Sequence, residues 1–110
     1  MIALFNRFQS VIQEGIEKHL VVILKYKEDI QYREYEPYYV YHSSTKGKDV
    51  MSFGIQRINL AKPQDKEEFH RFELSLIKDA QVTKEIFTIP ENISLNPPSD
   101  CKSLICGIKR

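Results

Sequence analysis

The stretch from Ile30 to Tyr41, which reads IQYREYEPYYVY, decides the fold. It contains five of the six tyrosines of the chain, and tyrosine is among the residues that favour β-strands. Pro37 interrupts it, and because proline cannot donate a hydrogen bond to a neighbouring strand, its presence predicts an edge, a bulge or a bend. We therefore expect a strand here, with Pro37 at an edge, a bulge or a bend.

The segments around this stretch also have the composition and alternation of short strands. They are Leu20–Tyr26, Val50–Arg57, Glu68–Leu76 and Ile77–Val82. Thr83–Ile86 has the pattern of a capped single helical turn. Five short antiparallel strands predict a small, strongly bent barrel of the SH3-like or Sm-like type.

The N-terminal residues have a different period. Phe5, Phe8, Ile12 and Ile16 recur at helical spacing, which predicts an amphipathic helix over Met1–Glu17. We therefore expect a mainly β fold with an N-terminal α-helix. Residues 1–19 would form the helix, packed on a barrel at 20–87, and residues 88–110 a partly extended tail. In that tail, Leu104-Ile105 is expected to pair as a short strand or to dock on the body.

Length and composition limit the class of protein. With 110 residues the chain has the size of one domain. Its 16 basic and 15 acidic residues argue against a strongly basic nucleic-acid clamp, but leave a local basic patch open. The sequence has no apolar run of about 20 residues and no leader, which predicts a cytoplasmic protein with no membrane contact. Cys101 and Cys106 are expected to be reduced thiols.

Three segments carry a resemblance to a known family. Arg33-Glu-Tyr-Glu-Pro37, Arg71–Ile77 and Ala80–Phe87 resemble parts of the WYL domain, an Sm-like small β-barrel of bacterial transcriptional regulators and phage-defence proteins. The family's Trp-Tyr-Leu triplet would fall at Met51–Phe53, and Leu76 stands where members often have Arg. The resemblance therefore implies a divergent WYL domain.

That resemblance implies a ligand-binding or nucleic-acid-binding surface at Arg33 and Arg71, whose guanidinium groups would face a shared groove and bind phosphate oxygens. Tyr35 would flank the groove and stack on a base. Arg57 is a third candidate that the family does not support. The alternative is that these arginines form ordinary surface ion pairs and that the tyrosines pack in the core.

Nothing in the sequence has the pattern of a catalytic, metal or cofactor site. His19, His42 and His70 are scattered, and the chain has no glycine-rich phosphate loop. We therefore expect a non-enzymatic regulatory module that senses a nucleotide or single-stranded nucleic acid. The alternative is a protein–protein interaction or oligomerisation subunit without a small ligand. The apolar helix face and the strand edges predict a homo-oligomer or a protein partner.

Overall fold

The computed structural model describes residues 8–47, 49–59 and 68–110. One α-helix precedes the strands, and a short 3-10 helix, Leu74–Leu76, joins the fourth strand to the fifth. In chain order the elements are α1 (Gln9–Lys18), β1 (Leu20–Tyr26), β2 (Arg33–Ser43), β3 (Val50–Asn59), β4 (Glu68–Glu73), β5 (Ile77–Ile86) and β6 (Cys101–Gly107). The predicted mainly β fold with a helix in front is confirmed.

The sheet differs from the predicted barrel in strand number and in closure. The described residues form one antiparallel sheet of six strands, in the order β4-β3-β2-β1-β5, with β6 paired to β2. β4 and β5 end this path, so the sheet is open among the described strands. The prediction of a closed five-stranded barrel is therefore wrong. The sixth strand is accommodated by β2, which spans 11 residues and pairs with both β1 and β6 along one edge.

Pro37 lies where the two strands on this edge of β2 part. β1 pairs with Arg33–Tyr35, whereas β6 pairs with Tyr39–Ser43. β3 pairs along the opposite edge of β2, with a register shift between Pro37 and Tyr39. Of the three alternatives predicted for Pro37, an edge, a bulge or a bend, this register shift supports the bulge.

Two glycines allow the backbone to pack closely around this bend. A Cβ atom at Gly54, which pairs with Pro37, would lie 2.2 Å from the carbonyl oxygen of Glu36. On the other side, a Cβ atom at Gly15 of α1 would lie 2.7 Å from a methyl group of Val22 and 3.0 Å from the Pro37 ring. The helix thus sits directly over the junction of β1 and β2.

The helix itself follows the predicted apolar pattern where it is described. Ile12 and Ile16 are buried against the sheet, and α1 contacts β1, β2 and β5. It ends at His19, whose left-handed backbone (φ 55°) terminates the turn. The predicted first residues of the helix, up to residue 7, lie outside the described residues.

The C-terminal half of the chain is more regular than expected. β5 continues to Ile86, so the predicted helical turn at Thr83 is wrong: the Thr83 hydroxyl donates to the Val21 carbonyl oxygen of β1 at 2.7 Å. Leu104-Ile105 lies in β6, which confirms that it pairs as a strand. Before it, residues 87–100 are held to the sheet in part by the Tyr39 hydroxyl, which donates to the Leu95 carbonyl oxygen.

Candidate functional site

Arg33 is bound on all sides by groups of its own chain. Its Nε and one terminal nitrogen donate to the two carboxylate oxygens of Asp29 at 2.6 and 3.0 Å, and the other donates to Gln56 at 3.0 Å. The guanidinium also lies 5.6 Å from the rings of Tyr26 and Phe72. Only 13% of the side chain is exposed. Arg33 therefore ties the turn after β1 to the sheet, and its binding role stays a prediction.

Tyr35 faces the interior. Its side chain is fully buried, its hydroxyl lies 2.7 Å from the Ser52 hydroxyl, and its ring packs edge-on against Phe72. Burial raises the pKa of the Tyr35 hydroxyl well above its ordinary value. In this conformation the ring is not available to stack on a base, so the predicted role of Tyr35 would require the core to open.

Arg57 lies among three carboxylates. Its nitrogens approach Glu85 at 2.6 Å, Glu36 at 3.2 Å and Glu34 at 3.7 Å. The hydrogen bond that Arg57 donates to Glu85 raises the pKa of Arg57 against the opposing effect of burial. Glu36, Glu85 and Arg57 line part of a cavity of about 310 Å³. Because acids outnumber the arginine here, this cavity has the wrong charge to attract a phosphate.

Arg71 is more accessible than Arg33 and Arg57. Its Nε donates to Asp100 at 3.1 Å, its guanidinium lies 5.3 Å from the Phe53 ring, and 45% of its side chain is exposed. Beside it, Phe53 and Phe69 stack nearly parallel with their ring centres 5.2 Å apart, and Phe69 is 45% exposed. Arg71 thus belongs to a small aromatic and cationic surface on β3 and β4, which we call the β4 face (Phe53, Phe69 and Arg71).

Asp100 fixes the position of Arg71. Besides the arginine, its carboxylate accepts hydrogen bonds from the hydroxyls of Tyr41, at 3.0 and 3.2 Å, and Ser43, at 2.8 Å. Burial raises the pKa of the Asp100 carboxyl, but the bonds from Ser43, Tyr41 and Arg71 outweigh it and leave the pKa below its ordinary value. Burial and the bond to Asp100 raise the pKa of Tyr41. This Asp100 clasp joins the start of β6 to β2 and β4.

The structure does not bring Arg33 and Arg71 into a shared groove. Arg33 contacts the ring of Phe72, and Phe72 and Arg71 are consecutive residues of β4. Successive side chains of a strand project to opposite faces of the sheet. The two guanidinium groups therefore lie on opposite faces, and Arg33 instead shares a neighbour, Phe72, with Tyr35.

Neither the role of Asp100 nor the exposure of Phe69 was predicted from the sequence. Asp100 stands in a run of turn-forming residues, and no local pattern indicates that it would bind residues 29 to 59 positions away. Phe69 did carry a signal: by alternation it shares a face with Arg71 and Glu73, so it is an apolar residue on a polar face. Such a residue points to a contact surface rather than to the core.

The cysteines and histidines do not form a reactive centre in the part of the chain that the structure describes. Cys101 and Cys106 are free thiols, and burial raises the pKa of each, which disfavours the nucleophilic thiolate. His19 stacks on Phe87, whereas His70 packs on Phe72. No group of three or more His, Cys, Asp or Glu side chains within 8–47, 49–59 and 68–110 is placed to hold a metal ion.

Exposed large apolar side chains occur on each strand that has one neighbour in the sheet. Phe69 on β4 is 45% exposed, Ile86 on β5 is 70% exposed and Leu104 on β6 is 49% exposed. Ile30, in the turn before β2, is the fourth such residue among those described. Three of the four exposed large apolar side chains among the described residues thus lie on edge strands.

Comparison of the chain with protein-family models, with curated proteins and with solved structures gives no significant match. Among the described residues, α1 is the one α-helix, and it lacks the length and apolar character needed to cross a membrane. The interpretation of the site therefore rests on its geometry.

Proposed function

We propose that this chain is a protein-interaction or oligomerisation module that joins its partner through an edge of the sheet. The observation that carries the proposal is the placement of Phe69, Ile86 and Leu104, one on each edge strand. An edge strand presents backbone donors and acceptors for pairing with another strand. An exposed apolar side chain beside that edge adds area that becomes buried when a second strand pairs there.

The charges of the candidate arginines support the same proposal. Each of the three is in contact with at least one carboxylate of its own chain: Arg33 with Asp29, Arg57 with Glu85 and Arg71 with Asp100. A phosphate ligand would have to compete with these acids for the guanidinium groups. A partner strand that forms backbone hydrogen bonds along an edge has no such competition.

The test is the mass of the protein in solution, measured by light scattering from low to high micromolar concentration. The proposal predicts a mass above the 12.9 kDa of one chain that rises with concentration. Three matched variants, Phe69→Lys, Ile86→Lys and Leu104→Lys, each place one charge on a different edge. One of them should lower the mass and the other two should leave it unchanged. A mass of one chain at every concentration would contradict self-association through an edge.

A second candidate function is favoured by the β4 face. Aromatic rings next to an exposed arginine are the groups on which single-stranded nucleic acids stack. Phe53 and Phe69 with Arg71 provide such a set, and nucleotide or single-stranded nucleic-acid binding is also what the resemblance to a divergent WYL domain implies. We therefore propose this regulatory binding role as the alternative, with Arg71 rather than Arg33 as its principal cation.

Titration of short single-stranded oligonucleotides at low salt tests the alternative. It predicts weak, salt-sensitive binding that Arg71→Ala and Phe69→Ala reduce, while Ile86→Ala on a different edge leaves it unchanged. Tens of micromolar protein lies within the usual range of non-specific dissociation constants at physiological salt, about 10⁻⁴ to 10⁻⁶ M, and low salt strengthens such binding. Absence of binding at that concentration and low salt would therefore contradict the alternative.

A further inference from the structure

The three edge strands differ in how regular they are. Pairing of β5 with β1 and of β6 with β2 contains two register shifts in each case. Pairing of β4 with β3 contains none over six consecutive residue pairs, from Met51↔Glu73 to Gln56↔Glu68. Bulges twist an edge and hinder the addition of another strand, whereas a regular edge favours it. β4, which ends the path of strands, is therefore the edge best suited to pairing.

Symmetry restricts how two copies of β4 can pair. A two-fold axis perpendicular to the sheet makes the strands antiparallel and keeps each residue on its own face. Two residues that lie directly opposite each other across the new pair must then project to the same side of the sheet. Because side chains alternate sides along a strand, the two residue numbers must be both odd or both even. If Arg71 lay on the two-fold axis, the two copies of Arg71 would stand opposite each other, and their repulsion disfavours this register of the two β4 strands. A pair centred on His70 avoids this and aligns five residues of each strand, 68–72.

The arrangement centred on His70 is complementary on the exposed face. It places Arg71 opposite Phe69 of the partner subunit, and it does so twice because of the symmetry. Arg71 already has the Phe53 ring on one side at 5.3 Å. The partner subunit's Phe69 would cover it from the other side, so that the guanidinium lies between two phenyl rings. The ring of Phe69, now 45% exposed, would be covered in return.

We propose that the chain forms a two-fold symmetric dimer in which two β4 strands pair antiparallel around His70 and join the two sheets into one. The occupant of the β4 edge is a second copy of this chain, held by reciprocal contacts between Phe69 and Arg71. This inference rests on the proposed function, since it names the partner and the edge. A single pair of short strands forms a small interface, and we expect a dissociation constant on the order of micromolar.

A charge reversal at one position tests the inference. Phe69→Lys places a lysine opposite Arg71 of the partner subunit, whereas Phe69→Glu places a carboxylate there and removes the same ring. We expect Phe69→Lys to raise the dissociation constant by about tenfold or more. Phe69→Glu should remain within about threefold of the wild-type value, because the new ion pair replaces the lost ring contact.

A cysteine at the two-fold axis provides a second, independent measurement. In a chain that also carries Cys101→Ser and Cys106→Ser, His70→Cys should form an intermolecular disulfide under mild oxidation. Cα atoms of opposed residues in antiparallel strands lie about 4.5–5.5 Å apart, within the range of a disulfide. Glu73→Cys is the matched control, because its copy would lie about 20 Å away along the strands, and it should not cross-link.

The outcomes separate this inference from the proposed function. Dissociation by Ile86→Lys or Leu104→Lys, with Phe69→Lys unaffected, would overturn the β4 dimer and leave an interaction module. If Phe69→Lys and Phe69→Glu weakened the dimer equally and His70→Cys formed no cross-link, the register with His70 on the two-fold axis would be overturned. A monomeric protein whose oligonucleotide binding is reduced by Phe69→Ala and by Arg71→Ala would overturn both in favour of nucleic-acid binding.

Discussion

Replacement of Asp100 by asparagine keeps the shape of the side chain but removes the charge at the centre of the Asp100 clasp. The carboxylate accepts hydrogen bonds from Tyr41, Ser43 and Arg71, and 19% of it is exposed. Asparagine has one acceptor oxygen and an amide group that can only donate. In Asp100→Asn, the one remaining oxygen can therefore accept hydrogen bonds from some of the three donors, while the amide N–H₂ group faces the others.

The magnitude follows from which donors are buried. Tyr41 is fully buried and Ser43 nearly so. In contrast, 45% of the Arg71 side chain is exposed, so solvent screens the contribution of its ion pair with Asp100 to stability. A buried hydroxyl left without a partner costs roughly 1–3 kcal/mol, and the loss of a charge-assisted hydrogen bond is in the same range. Since asparagine can retain one of the two buried hydroxyl bonds, we expect Asp100→Asn to lower the free energy of unfolding by about 2–3 kcal/mol at pH 7.

Urea unfolding at 25 °C measures this loss, and pH gives a second test. The pKa of Asp100 in the folded protein lies below its ordinary value, so its contribution is complete above the unfolded pKa of about 3.9 and disappears as the pH falls through the folded pKa. The difference between wild type and Asp100→Asn should therefore be constant from pH 7 to about 5 and shrink below pH 4.

The control is Asp49→Asn, because the Asp49 side chain is 84% exposed near His42. It should change stability by less than about 0.5 kcal/mol. A loss below about 0.5 kcal/mol for Asp100→Asn would refute the reasoning, as would a difference that persists undiminished at pH 3.

Three further substitutions test the packing around β2, each by the same urea assay. Gly54→Ala should lower the free energy of unfolding by about 3 kcal/mol or more, because its methyl group would overlap the backbone of Glu36 and Pro37. Gly15→Ala, which meets the side chain of Val22 and gains helix propensity, should cost clearly less, and equal losses would contradict the account. Arg33→Lys should lower it by roughly 1–3 kcal/mol, since lysine cannot form the two-pronged contact with Asp29, and should leave oligonucleotide binding unchanged.

The sequence predicts local features of this fold better than its pairing. The helical spacing of Ile12 and Ile16 and the β composition of Ile30–Tyr41 depend on neighbouring residues, and both predictions are confirmed where the chain is described. The position of β6 depends on a contact with β2 more than 50 residues earlier in the chain. A run of turn-forming residues before Cys101 indicates a loop but not where the following strand pairs.

The candidate site illustrates the same limit for side chains. Alternation places Arg33 and Tyr35 on the same face, but it does not say whether that face is inside or outside. The structure encloses both around Phe72, which lies on β4 and is brought there through β3. Burial of an arginine becomes predictable only when its partner is known, and here the partner, Asp29, lies in the preceding turn.

The bend at Pro37 connects the architecture of the sheet to the surface on β4. If β2 were straight and regular, β1 could pair along its whole edge and β6 would have no place there. The pairing of β1 with β2 ends at Tyr35, and β6 pairs with Tyr39–Ser43 on the same edge. Asp100, directly before β6, then reaches Tyr41, Ser43 and Arg71. The carboxylate then holds Arg71 above Phe53 on the exposed face of β4. The bend at Pro37 is thus connected, through β6 and Asp100, to the cation on which the β4 dimer and the nucleic-acid alternative depend.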